Sequence, residues 1–126
     1  MEKQTNDSLE IAIKKRNHVV AHMGCSYFGD SVMIQDLFVR QRYRNKGIED
    51  LLISKVNEYA AEKQAKVIKV YCGPEPFCPD GQISLEQEIS FYQQHGFSID
   101  HYVYGGTPCM VKSCRSEGQQ CEKVIL

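Results

Sequence analysis

The chain has 126 residues, of which 42% are hydrophobic and 25% charged, and its formal net charge is −1. That length and mixture fit one globular domain with one modest core. The charge balance excludes a nucleic-acid binder steered by a whole-molecule positive field, and no apolar run reaches the length of a membrane span.

The opening stretch, MEKQTNDSLE, is polar and lacks the apolar centre of a secretory leader, so the expected location is the cytoplasm. The first eight residues are expected to be loose. Leu9, Ile11 and Ile13 then alternate with Glu10, Ala12 and Lys14, the pattern of a half-buried strand. Arg16-Asn17 reads as a turn. His18 to Phe28 is rich in β-formers, with Gly24 as a candidate bulge. Gly29-Asp30 is a second turn, and a third strand runs from about Ser31 to Val39. Three strands joined by tight turns predict an antiparallel meander.

The period changes after Gly47. Ile48, Leu51, Leu52, Val56, Tyr59 and Ala60 form one helical stripe ending near Gln64. Lys66 to Cys72 reads as a buried strand, and the following GPEPFCPDGQ as a loop. A second helix begins at Ser84, which has capping-box spacing to Gln87; Leu85, Ile89 and Tyr92 share a face, and Gly96 is the stop. Ser98 to Tyr104 and Pro108 to Cys114 are strands about a Gly105-Gly106 turn, and residues 115–126 are expected to be a loose tail. The order β-β-β-α-β-α-β-β defines an α/β domain over residues 1–126. Its mixed central sheet combines an N-terminal antiparallel meander with crossover helices, the first of which makes a parallel connection.

Six cysteines are present and no two have CxxC spacing, so neither a zinc knuckle nor any other metal site is expected. Without a leader, free thiols are expected rather than disulfides.

The most informative segment is IQDLFVRQRYRNKGIEDLL, Ile34 to Leu52. Arg40, Arg42, Arg44 and Lys46 crowd the connection between a strand end and a helix start. A helix N-terminus presents unpaired N–H groups and the positive end of its dipole, and a glycine there lets an anion approach closely. Such a loop suits a pyrophosphate. The bland alternative is a basic surface loop that only caps a helix.

Arg44-Asn45-Lys46-Gly47-Ile48-Glu49 resembles the Q/R-x-x-G-x-G/A motif of the GNAT superfamily of N-acetyltransferases. Phe91-Tyr92-Gln93-Gln94-His95-Gly96-Phe97 resembles that superfamily's second signature, F-Y-x-x-x-G-F, in the usual order and spacing. The resemblance spans about Leu9 to Cys114. It implies acetyl-CoA as cosubstrate. The backbone of Leu37, Phe38 and Val39 would pair with the pantetheine arm, and that of Arg44, Asn45, Lys46, Gly47, Ile48 and Glu49 would bind the pyrophosphate. It also implies that Tyr92 protonates the departing thiolate, a role its phenol can fill; the alternative is a core aromatic on a helix face.

Several positions depart from the family pattern. Glu49 stands where Gly or Ala is usual, and Asp50 adds a second acid beside the phosphate site. Leu85 and Glu88 stand where Asn and Ala are frequent. Some diamine-acetylating relatives carry Glu-Asp where this chain has Gln35-Asp36, so Asp36 is the remaining carboxylate for binding or deprotonating an amine, and His22 is a second titratable group near the sheet. The helices that wall the acceptor pocket in the family have no counterpart before Leu9. The acceptor is therefore a small molecule or a protein amine reaching an open surface, or a second subunit completes the pocket. The last strand and the tail offer an edge for a homodimer. Two functions follow: acetyl transfer to a primary amine, or a non-catalytic CoA-binding or protein-interaction module. Neither a nucleic acid nor a membrane is an expected partner.

Overall fold

The computed structural model describes residues 2–4, 7–73 and 84–114. In chain order the elements are β1 (Glu2–Gln4), β2 (Ser8–Lys15), β3 (His18–Phe28), β4 (Ser31–Val39), α1 (Ile48–Lys63), β5 (Val67–Tyr71), α2 (Leu85–Gln94), β6 (Ser98–Val103) and β7 (Thr107–Ser113). They form one mixed sheet in the order β1-β2-β3-β4-β5-β7-β6. β4 and β5 are parallel, as a helical crossover requires, and the other pairs are antiparallel.

The meander follows from its turns. Arg16 and Asn17 both adopt positive φ, 52° and 69°, matching the right-handed strand twist as a two-residue hairpin loop must. Two expectations are corrected here. Glu2–Gln4, expected to be loose, pairs antiparallel with β2. Ladder bonds are backbone bonds, so a polar strand on a free edge leaves no mark in apolar periodicity. And β7 does not offer an edge for a dimer: it lies between β5 and β6, and the edges are β1 and β6. The proline-rich loop at 74–83 and the tail at 115–126 lie outside the described residues.

Helix α1 begins at Gly47 and ends on Gln64, whose left-handed conformation turns its N–H back to Ala60 and Ala61. Its buried stripe is Leu52, Ile53, Val56, Tyr59 and Ala60. Leu51, expected inside, is 47% exposed, and Ile53 takes its place. Helix α2 begins with the full capping box: the Ser84 hydroxyl accepts from the Gln87 N–H (3.1 Å) and the Gln87 side chain accepts from the Ser84 N–H (2.9 Å). Gly96 (φ 93°) ends it.

Both helices pack on the same face of the sheet. His95 at the end of α2 reaches Asp50 at the start of α1 (3.2 Å), and Lys112 of β7 lies beside Gly96 while donating to Asn57 of α1 (3.3 Å). Between helices and sheet lies one core that includes Leu9, Ala21, Met23, Cys25, Val32, Ile34, Leu52, Val56, Ile68 and Met110. Each large side chain buried there contributes about 1.5–3 kcal/mol by transfer from water.

Candidate active site

The parallel pair β4–β5 opens partway along its length. Its ladder runs from Ser31↔Val67 to Ile34↔Val70 and stops, although β4 stays paired with β3 as far as Ala21↔Val39. At the point of departure β4 carries an extra residue. Cys25 faces Ile34 and its neighbour Gly24 faces Asp36, so Gln35 is the bulge. A bulge bends its strand and raises local twist, which carries the rest of β4 away from β5. Among the described residues, the peptide groups of 35–39 on the β5 side then have no strand partner.

The bulge also resets side-chain alternation. Val32 and Ile34 point to the helices, and so do Val39, which is buried, and Leu37, which packs on the core. Asp36 and Phe38 consequently point to the opposite face, which carries no helix among the described residues. There they meet His22, whose ring is 2.7 Å from an Asp36 oxygen and stacks on Phe38 at a centroid distance of 6.1 Å.

Beyond Val39 the chain makes a short 3-10 turn, Gln41–Tyr43. Arg44 folds back on the strand end, its Nε donating to the Val39 carbonyl at 2.7 Å. Asn45 (φ 61°) and Gly47 (φ 92°) are both left-handed, with Lys46 between them. Left-handed residues at a helix start turn successive N–H groups toward one concavity. A Cβ at Gly47 would meet nothing within 4 Å, so glycine is required by its backbone conformation, and the space in front of it is open. A free strand edge for amides, followed by an open basic loop at a helix N-terminus, fits pantetheine and pyrophosphate. One contact works against that fit. Glu49 places its carboxylate 3.2 Å from the Asn45 N–H, so a donor of the loop already holds an anion. Asp50 is turned aside by His95.

Tyr92 is 3% exposed and packs edge-on against Phe91 (5.0 Å) and Phe97 (5.3 Å). It belongs to the same core as Val39 and Cys72. Leu37–Val39 thus border the slot where β4 parts from β5, and the chain leads from there through the Gln41–Tyr43 turn to Arg44–Glu49. Tyr92 lies on the helical side of the sheet, and Asp36 on the other.

Glu10 carries no sequence signal of its own. Its Oε2 lies 3.1 Å from His22 Nε2, completing a chain Glu10–His22–Asp36 across β2, β3 and β4. The signal that locates it is register: the Arg16-Asn17 turn pairs Lys15 with His18, a bulge at Val20 shifts the pairing by one residue so that Glu10 falls opposite Gly24, and Gly24 lies opposite Asp36. The thiols of Cys25, Cys72 and Cys109 form no disulfide, and burial pushes Cys25 and Cys72 up to about 12. No metal-holding group of His, Cys, Asp and Glu occurs among the described residues, and among them no helix is long and apolar enough to cross a membrane.

A mixed sheet opened at a bulge and followed by a basic, left-handed helix start has the α/β architecture of the acyl-CoA N-acyltransferase fold. The family model described as Acetyltransferase (GNAT) domain matches residues 7–99, and the chain belongs to that family. GNAT acetyltransferases use acetyl-CoA as cosubstrate. Among curated protein sequences none matches. Among solved structures, the PaiA N-acetyltransferase of Thermoplasma acidophilum in complex with coenzyme A aligns at TM-score 0.68 and 16% identity, covering 85% of this chain and 61% of that one. This chain therefore spans under two thirds of that enzyme. Nourseothricin acetyltransferase aligns at TM-score 0.67 and 20% identity, over 87% of this chain and 67% of that one. The anti-CRISPR protein AcrVA5 aligns at TM-score 0.67 and 28% identity, over 85% of this chain and 99% of that one.

Proposed function

We propose that the chain transfers an acetyl group from acetyl-CoA to a primary amine. The observation that carries this reading is the opening of β4 from β5 at Gln35, leading directly to the left-handed Asn45 and Gly47. Residues 37–39 offer backbone partners for the pantetheine amides, and residues 44–49 offer N–H groups and charge for the pyrophosphate. Bound there, acetyl-CoA supplies an acetyl group activated as a thioester. Asp36, on the open face beside the slot, holds an amine and accepts its proton. Tyr92, on the helical side, supplies a proton to the thiolate. The two proton-handling groups thus flank the slot from opposite faces of the sheet, which keeps their tasks separate. Since both helices cover the other face, an acceptor carried on a large molecule can reach Asp36 as readily as a small one.

Release of free CoA thiol from acetyl-CoA, assayed over a panel of polyamines and lysine peptides, tests this reading. Asp36→Asn should lower turnover on the best acceptor about 100-fold, and Tyr92→Phe at least 10-fold, within the range of general acid–base effects of about 10²–10⁴. Full turnover in Tyr92→Phe would show that the phenol is a core residue only. A second reading, a CoA-binding or interaction module without catalysis, draws on Glu49, which occupies the Asn45 N–H, and on Gln35, which cannot act as a base. Its mark would be acetyl-CoA binding with no thiol release from any amine.

A further inference from the structure

We propose that Glu10 and His22 are positioning residues for Asp36, and that the three together select a cationic primary amine as acceptor and remove its proton. This rests on the acetyl-transfer reading and adds to it what the acceptor must be and how its proton leaves.

The geometry is one His between two carboxylates on three adjacent strands. His22 Nδ1 lies 2.7 Å from Asp36 Oδ1, and Nε2 lies 3.1 Å from Glu10 Oε2. An ionised carboxylate only accepts hydrogen bonds, so both contacts are satisfied when both ring nitrogens carry a proton. The trio then holds two ring protons and a net charge of −1. Phe38 stacks on the ring and fixes its plane. Gly24 lies between Glu10 and Asp36 in register, so the two carboxylates flank it on adjacent strands. A Cβ there would stand 3.6 Å from both Asp36 oxygens.

His22, in the middle, is the least exposed of the three: the side chains of Asp36, His22 and Glu10 are 31%, 20% and 57% exposed. Asp36 sits one residue past the bulge where the slot opens, and Glu10 is the most exposed of the three. Among the described residues, the charged groups that share this face around His22 are Glu10 and, by alternation from the core-packed Ile13, Lys14 from β2, Asp36 from β4 and, by its register opposite Met33, Lys69 from β5; neither lysine is within ion-pair distance of the trio. An ammonium group is attracted by the net −1 of the trio, and a neutral or anionic acceptor is not.

The proton balance is as follows. The ammonium R–NH3+ gives one proton to Asp36 Oδ2 and becomes R–NH2, with its lone pair free for attack. His22 gives its Nε2 proton to the Glu10 carboxylate, which passes it to water. The trio again holds two protons, one on Asp36 and one on His22 Nδ1, and again carries −1. One proton has moved from amine to solvent without a change of charge beside the slot. Return of a proton to Nε2 through Glu10 and loss of the Asp36 proton to water reset the trio.

The test uses the full chain with 15N-labelled histidine, titrated with n-butylammonium chloride and, separately, with n-butanol. Butylammonium should shift the His22 ring resonances saturably, and butanol should not. Asp36→Asn should weaken that binding at least ten-fold. Glu10→Gln, at an exposed site, should weaken it about three-fold, in line with the small worth of an exposed charge. It should also move the Nε2 resonance toward the unprotonated range, and Glu10→Asp should restore both. A structural role alone would leave the ring nitrogens of Glu10→Gln unchanged. Equal responses to amine and alcohol, or an unchanged ring in Glu10→Gln, would overturn the proposal. Calorimetry of coenzyme A on the same sample separates the two readings. CoA binding without an amine response removes the trio and leaves acetyl transfer standing, whereas an amine response without CoA binding removes acetyl transfer and leaves a cationic-amine site.

Discussion

Glu49 is the residue at which this phosphate loop departs most from what an anion site needs. Its carboxylate accepts from the Asn45 N–H, one of the donors that a bound pyrophosphate would use. An acid in the first turn of a helix is ordinarily favourable by about 0.3–1 kcal/mol, so the contact stabilises the free protein while opposing the ligand. Glu49→Ala should therefore bind coenzyme A about three-fold more tightly by calorimetry and melt slightly lower. Unchanged affinity would mean that the side chain swings clear. The buried thiols make a second prediction. Cys25 is pushed up to about 12 by burial first and by the Asp36 charge second, and Cys72 to about 12 by burial, then by Glu88 and Cys109. An unfolded thiol ionises near about 8.5. Because the folded values are the higher ones, the thiols' contribution to stability is complete below about pH 8.5 and is lost as pH rises toward 12. Each contributes a fall of about 1.4 kcal/mol per pH unit in that window. Urea midpoints measured from pH 8 to pH 10.5 should decline accordingly, and a Cys25→Ala, Cys72→Ala double variant should decline less steeply.

The elements differ in how plainly they are written. The turns at Arg16-Asn17 and Gly29-Asp30, the capping box at Ser84 and the stop at Gly96 are local chemistry, and residue type alone locates them. Removing the Ser84 hydroxyl should confirm how local it is: Ser84→Ala should cost about 1 kcal/mol in chemical denaturation, and no loss would mean that α2 is held by packing alone. The stripe of α1 was legible to within one position, because Leu51 and Ile53 are equally apolar and only the placement of the sheet decides which is buried. The bulge in β4 was not legible. Gly24 marks the level at which the β3–β4 register breaks, but the extra residue is Gln35 on the partner strand. Which strand bulges depends on pairing with β5 as well as β3, and pairing is not a property of either sequence segment. For the same reason the face on which Asp36 lies, and its meeting with His22 and Glu10, emerge only from the assembled sheet.

Taken together, the described residues form a sheet with both helices on one face, parted between β4 and β5 at the Gln35 bulge. The helical face carries Tyr92 and the core, and the other face carries the carboxylates. The chain leads from the slot to the helix start at Gly47. Membership of the GNAT family accounts for the mixed sheet with its crossover helices, which the two family motifs implied from residue order. What residue order does not convey is the meeting of Glu10, His22 and Asp36, because it is assembled from three strands rather than from one motif. The claim on which the rest depends is that the Arg44–Glu49 loop binds the cosubstrate. Isothermal titration of acetyl-CoA into the wild-type chain and into Gly47→Glu tests it most directly. At Gly47, φ is 92°, so any side chain is strained, and a carboxylate would also face the incoming anion. The account predicts saturable binding by the wild type, lost in a variant that still unfolds cooperatively; absence of binding by the wild type at millimolar acetyl-CoA, or equal binding by a folded Gly47→Glu, would contradict it.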